Sequence, residues 1–270
     1  VGESHTPPRG PARPDTPVAH NARVWNHWVG GEDTYEVDRR VGDRIASILP
    51  VVRDIARADR EFLVRAVTYL AGERGVRQFL VLGAGLPTAD NTHEVAQRIA
   101  PGSRVVHVDN DPVVPTHARS LLAGTGEGAA DYVEADVRDP DVVLGQAART
   151  LDFDRPVAVM MLGVLHFVPG TGQARGTVRR IMERVPSGSF LVLTHPTHDA
   201  EVGGASQIPA REFWNENATP PITARSAGDV AAFLEGLHPV EPGPVPCSRW
   251  RPRAGSAPVV PQYGAVAVKP

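Results

Sequence analysis

A chain of 270 residues with a formal net charge of -3, 41% hydrophobic and 22% charged residues has an ordinary globular composition, enough for one large domain or two small ones. It carries no basic excess of the kind nucleic-acid binders show, and its longest apolar runs, such as 157–165, fall far short of the ~20 residues of a membrane helix. A lone cysteine, Cys247, forms no intrachain disulfide and no signal-peptide pattern opens the chain. A cytoplasmic protein is therefore expected, with neither membrane nor nucleic acid as partner. Lys269 is the only lysine, which excludes mechanisms built on an internal catalytic lysine.

Residues 1–17 hold five prolines and little apolar periodicity, and predict a disordered tail. Residues 18–75 read as helical. A short helix over 20–29 stops at Gly30 and Gly31; Asp33, three residues before Glu36, resembles a capping box opening a second helix whose apolar face is Val37, Val41, Ile45, Ile48 and Leu49. Pro50 ends it. Ile55, Ala58, Phe62, Ala66, Tyr69 and Leu70 then mark a longer helix closing at Gly72 or Gly75.

From 76 to 270 short apolar runs alternate with helical stretches. Strands are expected at 78–82, 104–108, 132–135, 157–162 and 190–194, and helices at 92–99, 113–122, 142–148 and 172–185. A helix over 227–237 precedes two final strands, 240–248 and 264–268, separated only by an Arg/Pro-rich stretch. These should pair as an antiparallel hairpin at the sheet edge, where Pro242, Pro244 and Pro246 are tolerable. The expected fold is α/β: a doubly wound, mostly parallel seven-stranded sheet covered on both faces.

In such a sheet, ligands bind beyond the carboxyl ends of the strands at the topological switch point. The first strand runs into Gly83-Ala84-Gly85-Leu86-Pro87-Thr88, where glycines permit close backbone approach and the following helix offers free N–H groups. A dinucleotide fingerprint would need glycine at 88, and a plain tight turn is the alternative. The second strand ends in Asp109-Asn110-Asp111. A carboxylate about 20 to 26 residues past the glycine turn is placed to accept from a ribose diol, a role that suits Asp109, while Asp111 before Pro112 reads as a helix cap. Asp136 after the third strand could accept from a purine amine, with Val137 against the ring. Leu162 ends the fourth strand, and His166 just beyond it faces the reacting end of a ligand unless it is merely packed; His195 ends the fifth. Successive strand ends carrying Gly-x-Gly, Asp and Asp point at one crevice.

Residues 21–33 (NARVWNHWVGGED), 79–88, 93–97 (HEVAQ) and 108–114 (VDNDPVV) resemble an actinobacterial family of class I S-adenosylmethionine-dependent methyltransferases, long described as a domain of unknown function. The likeness runs from about 20 to 270. It implies S-adenosylmethionine as cofactor, with Gly83 and Gly85 near its methionine part and Ala84 and Thr88 in the same turn. It implies Asp109 on the ribose hydroxyls with Asn110 beside it, Asp136 and Val137 beside adenine, and Leu162 near the sulfonium. Trp25, Gly31, Asp33 and Tyr35 would belong to an amino-terminal lid over 18–75, covering a methyltransferase core over 76–270. Two positions depart from the pattern: Val81 stands where relatives carry an acid, and Trp25 where a tyrosine is expected.

Methyl transfer needs alignment more than acid–base machinery. If the acceptor is a hydroxyl, His166 or His195 is the candidate catalytic base. No Asn/Asp-Pro-Pro-Tyr run follows the fourth strand, Cys247 is far from any glycine turn, and a Lys-Asp-Lys-Glu site cannot be built, so a small-molecule acceptor remains by elimination. No metal is expected, and the chain is read as a monomer or homodimer. The alternatives are a nicotinamide-dependent oxidoreductase, which requires a sixth parallel strand, and a non-catalytic cofactor-binding module.

Overall fold

The computed structural model describes residues 18–111, 128–252 and 258–270. The expected tail over 1–17 and helix over 113–122 lie outside the described residues. The amino-terminal segment begins with β1 (Ala19–His20), α1 (Asn21–Trp28), α2 (Glu36–Ile48) and α3 (Val52–Thr68), the last running into a π-helical turn at Tyr69–Glu73. The alternating part follows: β2 (Gln78–Leu82), α4 (Thr92–Ile99), β3 (Arg104–Asp109), β4 (Ala129–Glu134), α5 (Pro140–Ala147), β5 (Ala158–Leu162), α6 (Thr171–Arg184) and β6 (Phe190–Pro196). Beyond it come α7 (Ile208–Asn217), β7 (Ala218–Thr219), α8 (Ala227–Ala232), β8 (His238–Pro239), β9 (Val245–Pro246) and β10 (Gln262–Val268).

The main sheet has the order β4-β3-β2-β5-β6-β10-β8, parallel from β4 to β6. β10 is antiparallel to β6 and carries β9 as well as β8 on its far side. Of the expected edge strand over 240–248 only β9 is formed, and β8 lies just before that range. Proline has no N–H to donate to a ladder, and Pro242 and Pro244 fall in the gap between them.

Because side chains alternate across a strand, the sheet feeds two cores. Phe79, Val81, Met160 and Val192 face a core shared with Val24, Ile45, Phe62 and Leu70 of the first three helices and the turn after them. Leu80, Leu82, Met161 and Leu193 face a second, shared with Val143, Ile181 and Phe233. The amino-terminal helices therefore share their hydrophobic core with the sheet.

The α2 start differs from expectation. Its first turn is closed by Asp38, not by an Asp33–Glu36 pair: Asp38 Oδ2 accepts the Tyr35 N–H at 2.9 Å. The same carboxylate takes Arg23 Nε at 2.8 Å and, through Oδ1, the His20 N–H at 3.1 Å. A tertiary demand, tying α1 to α2, fixes which acid caps the helix.

Candidate active site

Strand β2 lies between β3 and β5, so its carboxyl end is the switch point. The chain leaves it through Gly83 (φ +70°) and Gly85 (φ +65°), both in the left-handed region that favours glycine; a Cβ at 83 would also meet Val164 at 2.6 Å. Asp109, at the end of β3, clamps this turn: Oδ2 accepts the Gly85 N–H at 2.8 Å and Oδ1 the Asp111 N–H at 3.0 Å. Burial raises the Asp109 carboxyl above its ordinary range despite these two donors. From the other side, the Tyr132 hydroxyl donates to Gly85 O at 3.2 Å, and the Tyr132 ring stacks on His107 at 5.9 Å. His107 Nε2 in turn meets His93 Nδ1 at 3.0 Å, and burial depresses His107 to about 3.

A crevice runs along these strand ends in two halves that share Asn21, Gly83, Asp109, Val164 and Phe167. One half is lined by Asn110, Asp136 and Val137, the other by Ala84, Gly85, Thr88 and Leu162. Every residue expected to touch the cofactor therefore borders one crevice. The Asp136 carboxylate is already engaged by Arg138 (Nε at 2.9 Å from Oδ1) and by Asn110 Nδ2 at 3.3 Å, which hold it below the usual range. The halves measure about 110 and 70 Å³, and α1 contributes Asn21 to both.

Three buried polar atoms in the wider half have no hydrogen-bond partner among the described residues: Asn26 Oδ1, Thr88 Oγ1 and His166 Nδ1. A buried polar group left unpaired costs ~1–3 kcal/mol, which makes these atoms candidate ligand contacts. Asp59 lines the same half with Val81; its Oδ1 accepts from Gln262 Nε2 at 2.5 Å, and burial raises its carboxyl. Sequence reasoning missed Asn21, Asn26, Asp59 and Arg60. The signal for Asp59 was present, since it falls on the apolar stripe 55, 58, 62, 66 of α3, where an acid has no place without a task.

The two histidines part company. His166 borders the crevice and is pushed well below its ordinary value by burial. His195 is fully buried behind it: Nδ1 donates to Pro196 O at 2.8 Å and Nε2 accepts from Arg225 at 2.8 Å, with burial holding it near 4. Both nitrogens are used and neither meets the crevice, which corrects the expectation that His195 serves as a base. Arg225 spends its other donors on the Leu165, Val168 and Pro169 carbonyls and so braces the turn that carries His166. In the amino-terminal segment, Trp25 lines the crevice and Gly31 lies against the Asn26 side chain, whereas Asp33 and Tyr35 line neither half. Tyr35 instead stacks on Arg23 at 5.0 Å. Asp111 has its Oδ2 3.4 Å from Arg23 and 2.8 Å from His20 Nδ1, tying the start of α1 to the end of β3; the helix it is expected to cap lies outside the described residues.

A family model described as S-adenosyl methyltransferase matches residues 8–270. The chain belongs to that family. It is an S-adenosylmethionine-dependent methyltransferase, and S-adenosylmethionine is its cofactor. A solved DUF574 family protein from Streptomyces avermitilis MA-4680 is 42% identical over 96% of this chain and 100% of its own, with a TM-score of 0.90. A protein from Thermobifida fusca YX that carries a provisional methyltransferase label is 35% identical over 94% of this chain and 96% of its own, TM-score 0.84. The magnesium protoporphyrin IX methyltransferase of Synechocystis PCC 6803, solved with bound SAH, shares the fold at 14% identity, 92% and 93% coverage and TM-score 0.55. A search of curated proteins gives no match. The nicotinamide alternative required a further parallel strand where this family's fold has the antiparallel β10. Among the described residues no helix is long and apolar enough to cross a membrane.

Proposed function

We propose that the methyltransferase binds its cofactor along the whole crevice and transfers the methyl to a small-molecule acceptor beside Leu162 and His166. The observation that carries this reading is the trio of unpartnered buried atoms, Asn26 Oδ1, Thr88 Oγ1 and His166 Nδ1, gathered at the end of the crevice away from Asp136. Asp109 keeps free lone pairs for the ribose hydroxyls, with Asn110 beside it, and Asp136 and Val137 flank adenine. Gly83, Ala84 and Gly85 let the methionine part lie against backbone. Asn26 and Asp59 take the ammonium and Thr88 the carboxylate, a division that supplies from the lid what Val81 no longer supplies from the strand.

When bound, S-adenosylmethionine presents a methyl on a positively charged sulfur, which leaves with the bonding electron pair as the acceptor's lone pair takes the carbon. The protein's part is alignment and desolvation, worth on the order of 7–11 kcal/mol. His166, neutral at pH 7, receives a hydrogen bond from the acceptor and takes its proton as the new bond forms. Trp25 and Gly31 of the lid close the site; Asp33 and Tyr35 serve by holding α1 and α2 together. Calorimetry tests the reading: S-adenosylhomocysteine should bind one per chain and NADH should not. Binding of NADH without S-adenosylhomocysteine would overturn it.

A further inference from the structure

A second cavity adjoins the crevice on the side of the lid, and Trp25 and His166 line both. Its walls come from α1, α2, α3, α7, the loop at 222–224 and the first residue of β10. Three indoles surround it. Trp25 and Trp28 meet edge to face at 5.9 Å, and Trp28 and Trp214 are tilted at 6.5 Å. Two of these rings are fixed: Trp28 Nε1 donates to Gly42 O at 3.1 Å and Trp214 Nε1 to Pro220 O at 2.8 Å. Ile45, Leu49 and Ile55 add aliphatic surface. Among the described residues Arg211 is the only formally charged side chain on the wall and no carboxylate lines the chamber, so a cationic guest finds no counter-ion among them.

Rigid aromatic walls favour a flat aromatic guest through edge and face contacts of ~0.5–1.5 kcal/mol beyond burial. On the side of the crevice the chamber presents His166, whose Nδ1 lacks a partner among the described residues. An imidazole bordering both cavities is placed to accept from a group that reaches from one into the other.

We propose that this chamber receives the methyl acceptor, and that the acceptor is a flat aromatic ring whose hydroxyl points at His166. The inference rests on the reading that the adjoining crevice holds the cofactor. In the reaction the hydroxyl oxygen forms the bond to carbon, its proton passes to His166 and from there to solvent, and sulfur keeps the electron pair.

The test uses 2-naphthol, naphthalene and decahydro-2-naphthol as probes, read by saturation-transfer NMR and calorimetry on the full chain saturated with S-adenosylhomocysteine. The wild type should bind 2-naphthol at least fivefold more tightly than its saturated counterpart. His166→Ala should weaken 2-naphthol about tenfold, the worth of one hydrogen bond, and leave naphthalene within about twofold. Ile222→Trp, on a half-buried loop position, should block 2-naphthol while S-adenosylhomocysteine still binds. Equal binding of naphthol and decahydronaphthol, or no effect of either substitution on naphthol, overturns the proposal. Loss of S-adenosylhomocysteine binding in the wild type would instead overturn the cofactor reading, so the two failures are distinct.

Discussion

The two ends of the crevice are built on opposite principles. Around Asp109 and Asp136 the carboxylate oxygens already hold protein donors: Gly85 and Asp111 on one, Arg138 and Asn110 on the other. At the other end, Asn26, Thr88 and His166 each keep a buried polar atom with no partner among the described residues. The first end is organised before any ligand arrives, and its geometry is part of the folded state. The second leaves buried polar atoms without partners among the described residues, and in the proposed reading these are the contacts for the methionine head and the acceptor.

The largest expected effect breaks the organised end. Asp109→Ala removes the clamp on Gly85 together with the proposed ribose acceptor, two charge-assisted hydrogen bonds of ~1.5–3 kcal/mol each. Affinity for S-adenosylhomocysteine by calorimetry should fall about 100-fold or more; a change under threefold would mean that the clamp is not part of the site. The histidines divide along a similar line, and pH sharpens it. His107, held near 3, and His195, held near 4, are neutral when folded but titrate at about 6.5 when unfolded. The unfolded chain binds more protons below that value, so their contribution is complete above pH 6.5 and is lost as pH falls towards 4 and 3. Each should cost about 2 kcal/mol between pH 6.5 and pH 5. Urea unfolding at both values should show the loss, and His107→Phe should flatten it by about that amount. The smallest effect probes the incomplete end. A Cβ at Gly31 would lie 1.5 Å from Asn26 Oδ1, so Gly31→Ala must turn that amide away. Affinity for S-adenosylhomocysteine should fall about tenfold, one hydrogen bond's worth, with the melting temperature little changed. An unaltered affinity would remove Asn26 from the proposed contacts.

The sheet was legible because buried parallel strands leave a local mark. Runs such as 78–82 and 158–162 are short, continuous and apolar, and turn residues bound them. The strand-end residues were legible for the same reason: once the strands are located, topology dictates that Gly83, Asp109 and Asp136 meet. That only β9 forms within the expected strand over 240–248, with β8 just before it, was half-readable, since the prolines that interrupt the run are visible but where pairing occurs depends on β10.

Sequence by itself determined the alternation of strands and helices, the glycine turn and the acids at the carboxyl edge, because each follows from periodicity or from the conformational demands of one residue type. Only the tertiary structure decided that Asp38 rather than Glu36 closes the α2 start, that Asp59 and Asn26 reach the crevice, and that His166 borders it while His195 is consumed by Arg225. These outcomes turn on which groups far apart in the chain compete for one buried donor or acceptor, and that competition has no local signature.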